Sequence, residues 1–99
     1  METFNQLIQS AQPVLVDFYA DWCGPCKAMD PVIKAVAGVL SGKARVVRVN
    51  IDTNQTASRN YQITAVPTLM LFRNGKVLWR HPGLLDKVSI LKVVEQHLV

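Results

Sequence analysis

Val14-Leu15-Val16-Asp17-Phe18-Tyr19-Ala20-Asp21-Trp22-Cys23-Gly24-Pro25-Cys26-Lys27 decides how the rest of the chain is read. Residues 14 to 20 are apolar at nearly every position, the mark of a strand covered by helices on both faces. From Lys27 to about Leu40, Met29, Val32, Ile33, Val36 and Leu40 recur at helical spacing, so a helix follows. Cys23 and Cys26 are the only two cysteines and stand three apart where the strand gives way to the helix. A Cys-x-x-Cys in that setting reads as a redox motif.

Residues three apart on a helix have β-carbons roughly 5–6 Å apart, whereas a disulfide needs about 3.5–4.5 Å. A small backbone adjustment therefore closes the ring, and a similar one opens it. Pro25 suits a first helical turn, where its missing N–H is not needed. Cys23 at the helix start faces unpaired N–H groups and the positive end of the dipole, which favour thiolate over thiol. Lys27, one turn on, adds positive charge. The alternatives are a static disulfide or half of a four-cysteine zinc site.

Upstream, Phe4, Leu7 and Ile8 sit at helical spacing and predict an amphipathic helix over residues 2 to 10, ended by Pro13. Downstream, Pro31 is expected to kink the second helix, and Ser41-Gly42-Lys43 is a turn. Residues 45 to 51 read as a second strand, parallel to the first through the intervening helix. Asp52 to Gln62 is polar, with a short helix through Ala57 and Tyr61. Residues 68 to 72 and 76 to 80 flank Asn74-Gly75, the strongest short hairpin signal and a type I′ turn. The last helix runs from its N-cap Asp86 to Leu98, with Val88, Leu91, Val94 and Leu98 as its buried stripe. Trp79 reads as packing, and His81 and His97 as structural or surface residues, because neither has a second ligand at metal spacing. No metal site is expected.

The chain has 99 residues, 49% of them hydrophobic and 18% charged, which fits one globular domain over residues 1–99. Two cysteines are too few for a secreted disulfide scaffold. The start, Met1-Glu2-Thr3-Phe4, lacks the basic and long apolar segments of a signal peptide, and no stretch approaches the ~20 apolar residues of a membrane span. The expectation is a cytoplasmic protein. Net charge is +4, but the basic residues are scattered, with no stripe for nucleic acid.

Trp22-Cys23-Gly24-Pro25-Cys26-Lys27 is the signature of the thioredoxin family, and the chain resembles that family further downstream. The resemblance implies a thioredoxin fold of α/β class. Its central mixed sheet would have four strands, or five if a shortened first strand forms, flanked by about four helices. Thioredoxins usually open with another strand, and this chain starts too late for a full one, which leaves residues 45 to 51 at an edge. Arg45 and Arg48 would discourage pairing there; the alternative is a contact between two copies, and analogy favours a monomer.

The resemblance also assigns roles. Cys23 attacks a client disulfide, and Cys26 then resolves the mixed disulfide. Thioredoxins are themselves the reference example of such a cysteine, with a pKa of about 7 against about 8.5 for the free residue. That raises the thiolate fraction at neutral pH from roughly 3% to about half. Nucleophilicity falls with a slope of about 0.4–0.5, so attack gains only about threefold. Gly24, Pro25 and Lys27 therefore tune redox direction as much as speed.

Asp17, six residues before Cys23, lies among apolar neighbours, and a buried carboxyl has a raised pKa. It matches the family aspartate assigned to proton transfer with the second cysteine; the alternative is a carboxylate at a frayed strand end. The family often pairs that aspartate with lysine, where this chain has Arg48. Arginine does not deprotonate, so an Arg48 facing Asp17 should hold the carboxylate ionised more firmly. Val66-Pro67-Thr68 resembles the cis-proline loop, whose backbone at Val66 can pair with an extended client. Gly83 matches the glycine that completes the client groove with Trp22, Gly24 and Pro25. Pro82 and Tyr19 depart from the usual pattern.

The function implied is general protein disulfide reduction, with no cofactor of its own. Recharging would come from a thioredoxin reductase, fed by NADPH or ferredoxin. Clients would be of the ribonucleotide reductase, methionine sulfoxide reductase and peroxiredoxin type. Two other readings stay open: a disulfide oxidase or isomerase, whose members usually carry histidine between the cysteines, and a binding subunit with incidental thiols.

Overall fold

The computed structural model describes residues 2–98. Its elements in chain order are α1 (Phe4–Ile8), β1 (Val14–Tyr19), α2 (Gly24–Leu40), β2 (Arg45–Asn50), α3 (Gln55–Asn60), β3 (Thr68–Arg73), β4 (Lys76–Pro82) and α4 (Lys87–Gln96). The four strands form one mixed sheet in the order β2-β1-β3-β4. β1 runs parallel to β2 and antiparallel to β3, which pairs antiparallel with β4. Four strands and four helices make the thioredoxin fold that the motif implies. Among the described residues no strand precedes α1, so β2 is an edge.

Period-two alternation divides β1 between two cores. Val14, Val16 and Phe18 join Leu7, Ile8, Val49, Met70 and Phe72 on the α1 side. Leu15 faces the other way, with Leu69, Leu71 and the buried stripes of α2 and α4. Asp17 is in phase with Leu15. The strand therefore carries its one charge toward α2, and no part of that residue is exposed.

α1 has only five residues, too few to persist alone. Thr3 closes a capping box, its Oγ1 accepting from the Gln6 amide at 3.1 Å and its own amide donating to Gln6 Oε1 at 2.9 Å. The Phe4 ring sits 5.8 Å from Phe18, 5.6 Å from Tyr61 and 5.8 Å from Phe72. Phe4→Ala should therefore destabilise the protein by about 2–3 kcal/mol. That is below the 3–5 of a fully buried phenylalanine, because Phe4 keeps some exposure. Urea denaturation would measure it; a loss under ~0.5 kcal/mol would mean that α1 is not held by this cluster.

The hairpin forms as expected: Asn74 and Gly75 both have positive φ, 51° and 78°, as type I′ requires. A side chain at Gly75 would also strike Gln9, because the turn is stitched to the end of α1 by Gly75 N–H to the Ile8 carbonyl at 2.8 Å. Several boundaries differ from the periodic reading: α1 is shorter than residues 2 to 10, and α4 stops at Gln96 and not Leu98. α2 begins at Gly24, not Lys27, because Cys23 acts as its N-cap and Pro25 occupies its first turn; exposed Gly24 and Pro25 leave no periodic trace. α3 stops at Asn60, with Tyr61 as C-cap, and Arg80 donates to the Tyr61 and Gln62 carbonyls beyond it. β4 continues to Pro82.

α4 is capped by Asp86 as expected, with Ser89 N–H donating to its carboxylate at 3.0 Å. Its phase is different. Ile90 and Val94 are the buried residues, Leu91 and Leu98 are partly covered, and Val88 is 61% exposed. Val88, Ile90, Leu91, Val93 and Val94 spread over more than one stripe, so spacing alone does not select a face. Packing against α2 and the sheet selects it.

Candidate functional site

The end of β1 and the start of α2 bring the two cysteines together. They form a disulfide with Cα atoms 5.3 Å apart, inside the usual 4.4–6.8 Å. Cys23 is the N-cap, and the Cys26 amide donates to Cys23 Sγ at 3.1 Å. An N-cap sulfur that accepts a helix amide is placed to carry negative charge once the disulfide opens. Cys26, one turn inside the helix, is buried. Lys27 is exposed.

Three loops surround the pair. Trp22 is 68% exposed, and its indole Nε1 donates to Asp52 Oδ2 at 3.0 Å. Asp52 went unrecognised in the sequence: parallel pairing of Tyr19 with Asn50 brings the turn after β2 beside Trp22, and no local signal marks that. The Val66–Pro67 peptide is cis, as the resemblance implies, and the Val66 carbonyl oxygen lies 3.5 Å from Cys23 Sγ. Pro67 itself is buried, so Val66 provides the surface. Gly83, at φ +90°, donates its amide to the Pro67 carbonyl at 2.8 Å, which ties the third loop to the second. Trp22, Ile51, Ile63 and Val66 line an apolar depression of about 330 Å³ beside the pair.

On the other side, Cys26, Lys27, Asp21, Asp30 and Arg48 line a cavity of about 260 Å³. Arg48, register partner of Asp17, lies across its wall. Its Nε is 3.4 Å from Asp17 Oδ2, its Nη1 is 3.0 Å from Asp30 Oδ1, and its Cζ stands 4.0 Å over the Tyr19 ring. Arg48 thus reaches over Tyr19 to both carboxylates while its side chain stays one-third exposed at the edge strand, and Arg45 is paired with Glu2 at 2.8 Å. Asp30 was also missed, although its i,i+4 relation to Cys26 puts both on one helix face.

Among the described residues neither oxygen of Asp17 has a hydrogen bond, nor does Asp30 Oδ1; Arg48 is an ion-pair neighbour of both carboxylates without an aligned bond to either. Burial pushes the Asp17 pKa up to about 6, with Arg48 pulling it down and the charge of Asp30 pushing it up. The raised pKa expected of a buried carboxyl is therefore found, because desolvation beneath a helix outweighs the pull of the nearby guanidinium.

The thioredoxin family model matches residues 1–96. A thioredoxin of Rickettsia conorii is 41% identical over 94 residues, covering 95% of this chain and 90% of that protein. One from Chlamydia trachomatis is 42% identical over 96 residues, covering 97% and 92%, and thioredoxin 1 of a Nostoc species is 41% identical over 97 residues, covering 97% and 91%. A redox pair at a helix tip, a cis-proline loop against it and likeness across nearly the whole chain agree: this chain belongs to the thioredoxin family and is a protein disulfide reductase.

Proposed function

We propose that residues 1–99 form one thioredoxin domain in which Cys23 is the attacking nucleophile and Cys26 the resolving thiol. Cys23 thiolate attacks one sulfur of a client disulfide; that S–S bond breaks, a mixed disulfide forms and one client thiolate leaves. Cys26 then gives up its proton, with Asp17 as the acceptor, and attacks Cys23 Sγ. The mixed disulfide breaks, the second client thiolate leaves, and the 23–26 disulfide holds the two electrons' worth of oxidation removed from the client. The observation that carries this reading is the Cys26 amide 3.1 Å from Cys23 Sγ, because it stabilises charge on Cys23 and not on Cys26. The two oxygens of buried Asp17, neither with a hydrogen bond among the described residues, support a proton acceptor there, since buried polar atoms are normally hydrogen-bonded.

Trp22, Gly24, Pro25, Val66 and Gly83 form the client groove on this reading, with buried Pro67 supporting Val66 from beneath, and an extended client strand pairs with the Val66 backbone. Lys27 and Arg48 tune the pair electrostatically. The protein works as a monomer in the cytoplasm, recharged by a thioredoxin reductase. It serves clients of the ribonucleotide reductase, methionine sulfoxide reductase and peroxiredoxin type. Equilibration with glutathione tests direction: thioredoxins themselves supply the reference potential of about −270 mV. A value near that supports reduction. One near the −180 to −120 mV of isomerases and oxidases overturns it.

A further inference from the structure

The proton-transfer reading leaves a problem that the geometry of Arg48 addresses. A guanidinium never gives up its charge in proteins. A carboxylate wholly paired with one is a poor proton acceptor, because opposite charge within ~4–6 Å lowers its pKa by about 1–3 units. Asp17 would then be a weak base for the buried thiol of Cys26. Arg48, however, is not wholly committed to Asp17. Its Nη1 reaches Asp30 at 3.0 Å, closer than its Nε comes to Asp17 at 3.4 Å.

We propose that Asp30 is a positioning residue for this reaction: by holding one end of Arg48, it keeps the guanidinium from closing squarely on Asp17 and so preserves Asp17 as proton acceptor for Cys26. The inference rests on the reading of Asp17 given above. Three arrangements support it. Asp30 and Cys26 are one helical turn apart and share the wall of one cavity with Arg48. Asp30 also forms an i,i+4 ion pair, its Oδ2 3.1 Å from Lys34 Nζ, so its second oxygen has a cation of its own. The Tyr19 ring lies beneath the guanidinium, with Arg48 Cζ 4.0 Å from its centroid, and covers one face of it. The charged and titratable groups facing the cluster are Asp17 and Tyr19 of β1, Asp21 after it, Cys26, Lys27, Asp30 and Lys34 of α2, and Arg48 of β2. Of these, Asp30 alone is a carboxylate in contact with the cation that faces Asp17.

Removing the charge of Asp30 has two consequences with the same sign. Repulsion between the carboxylates disappears, and Arg48 is free to turn fully toward Asp17. The test is a pH titration of the Asp17 side-chain carboxyl by carbon NMR in the whole reduced protein, for wild type and Asp30→Asn. The midpoint should fall by on the order of half a unit or more in Asp30→Asn. In an Arg48→Met background, the same substitution should produce a clearly smaller fall. An unmoved or raised midpoint in Asp30→Asn overturns the proposal. So does an equal fall with and without Arg48, which would mean direct repulsion and no sharing. Asp30 is partly exposed, so the variant should fold; if it does not, Asp30→Ser with the same readout decides. The pH profile of insulin reduction separates this from the underlying reading. A titration that moves together with the acid limb of the rate supports both. A titration that moves while the rate profile stays fixed upholds the sharing of Arg48 but removes Asp17 from proton transfer, and with it the positioning role.

Discussion

Cys23→Ser abolishes the acceleration of insulin reduction by dithiothreitol, leaving the rate of dithiothreitol alone. No other group at the helix tip can replace that sulfur: a serine hydroxyl in the same N-cap position accepts the Cys26 amide but does not ionise near neutrality. Cys26→Ser has an equally complete effect on turnover but for a different reason. The amide that stabilises Cys23 belongs to the backbone of residue 26, so it survives the substitution, and attack on a client disulfide proceeds. Release does not. Mixed disulfides on Cys23 accumulate, and mass spectrometry of the trapped species identifies the clients. Turnover retained by Cys26→Ser would remove Cys26 as the resolving thiol. Trapping by Cys23→Ser through Cys26 would reverse the two roles.

Asp17→Asn makes the protein more stable at neutral pH, by about 2–3 kcal/mol, and slower. The stability follows from linkage. The Asp17 pKa is about 6 in the fold against 3.8 as reference, so between those values the folded state binds more protons than the unfolded one, and stability falls as pH rises. Each unit of difference is worth about 1.4 kcal/mol, and a difference of about two units gives the upper figure. The contribution is fully present below about pH 4 and lost as pH passes 6. Asparagine has no such loss, so the gap between variant and wild type should be widest above pH 7, narrow below 6 and close near 4. Arg48 is not orphaned by the change, because it keeps Asp30 and the Tyr19 face. In thermal unfolding the gain is on the order of 10 °C for a domain of this size. Turnover at pH 7 should fall about tenfold. That is less than the 10²–10⁴ typical of a lost general base, because water in the cavity can take the proton more slowly. A variant with no stability gain at pH 7.5, or the same gain at pH 4, would refute a raised Asp17 pKa.

Much of this was legible along the chain, because the signals are local. An apolar run too continuous for a one-sided strand becomes β1 at the centre of the sheet. Asn74-Gly75 demands positive φ at two successive residues and so makes the hairpin. Two cysteines with Gly-Pro between them at a strand–helix junction name the chemistry. Each of these is decided within a few residues by backbone sterics or by periodic burial. The apolar period by itself began α2 only at Lys27, since a helix's first turn needs no apolar residue; Pro25 and Cys23 were what marked the true start, and Cys23 is its cap.

What the amino-acid order determined by itself was the set of elements, their sequence and the redox pair at the tip of α2. The family resemblance set Arg48 opposite Asp17, and only the tertiary structure decided which other charges join them. Arg48 stands by Asp17 because β1 and β2 run parallel in one particular register. Asp52 holds Trp22 because that register ends where it does, and Asp30 joins the cluster because α2 lies over the strand face that carries Asp17. The phase of α4 was settled in the same way, by the neighbours that bury Ile90 and Val94. Contacts between residues thirty positions apart depend on sheet register and helix docking, and a chain has no local chemistry that records either.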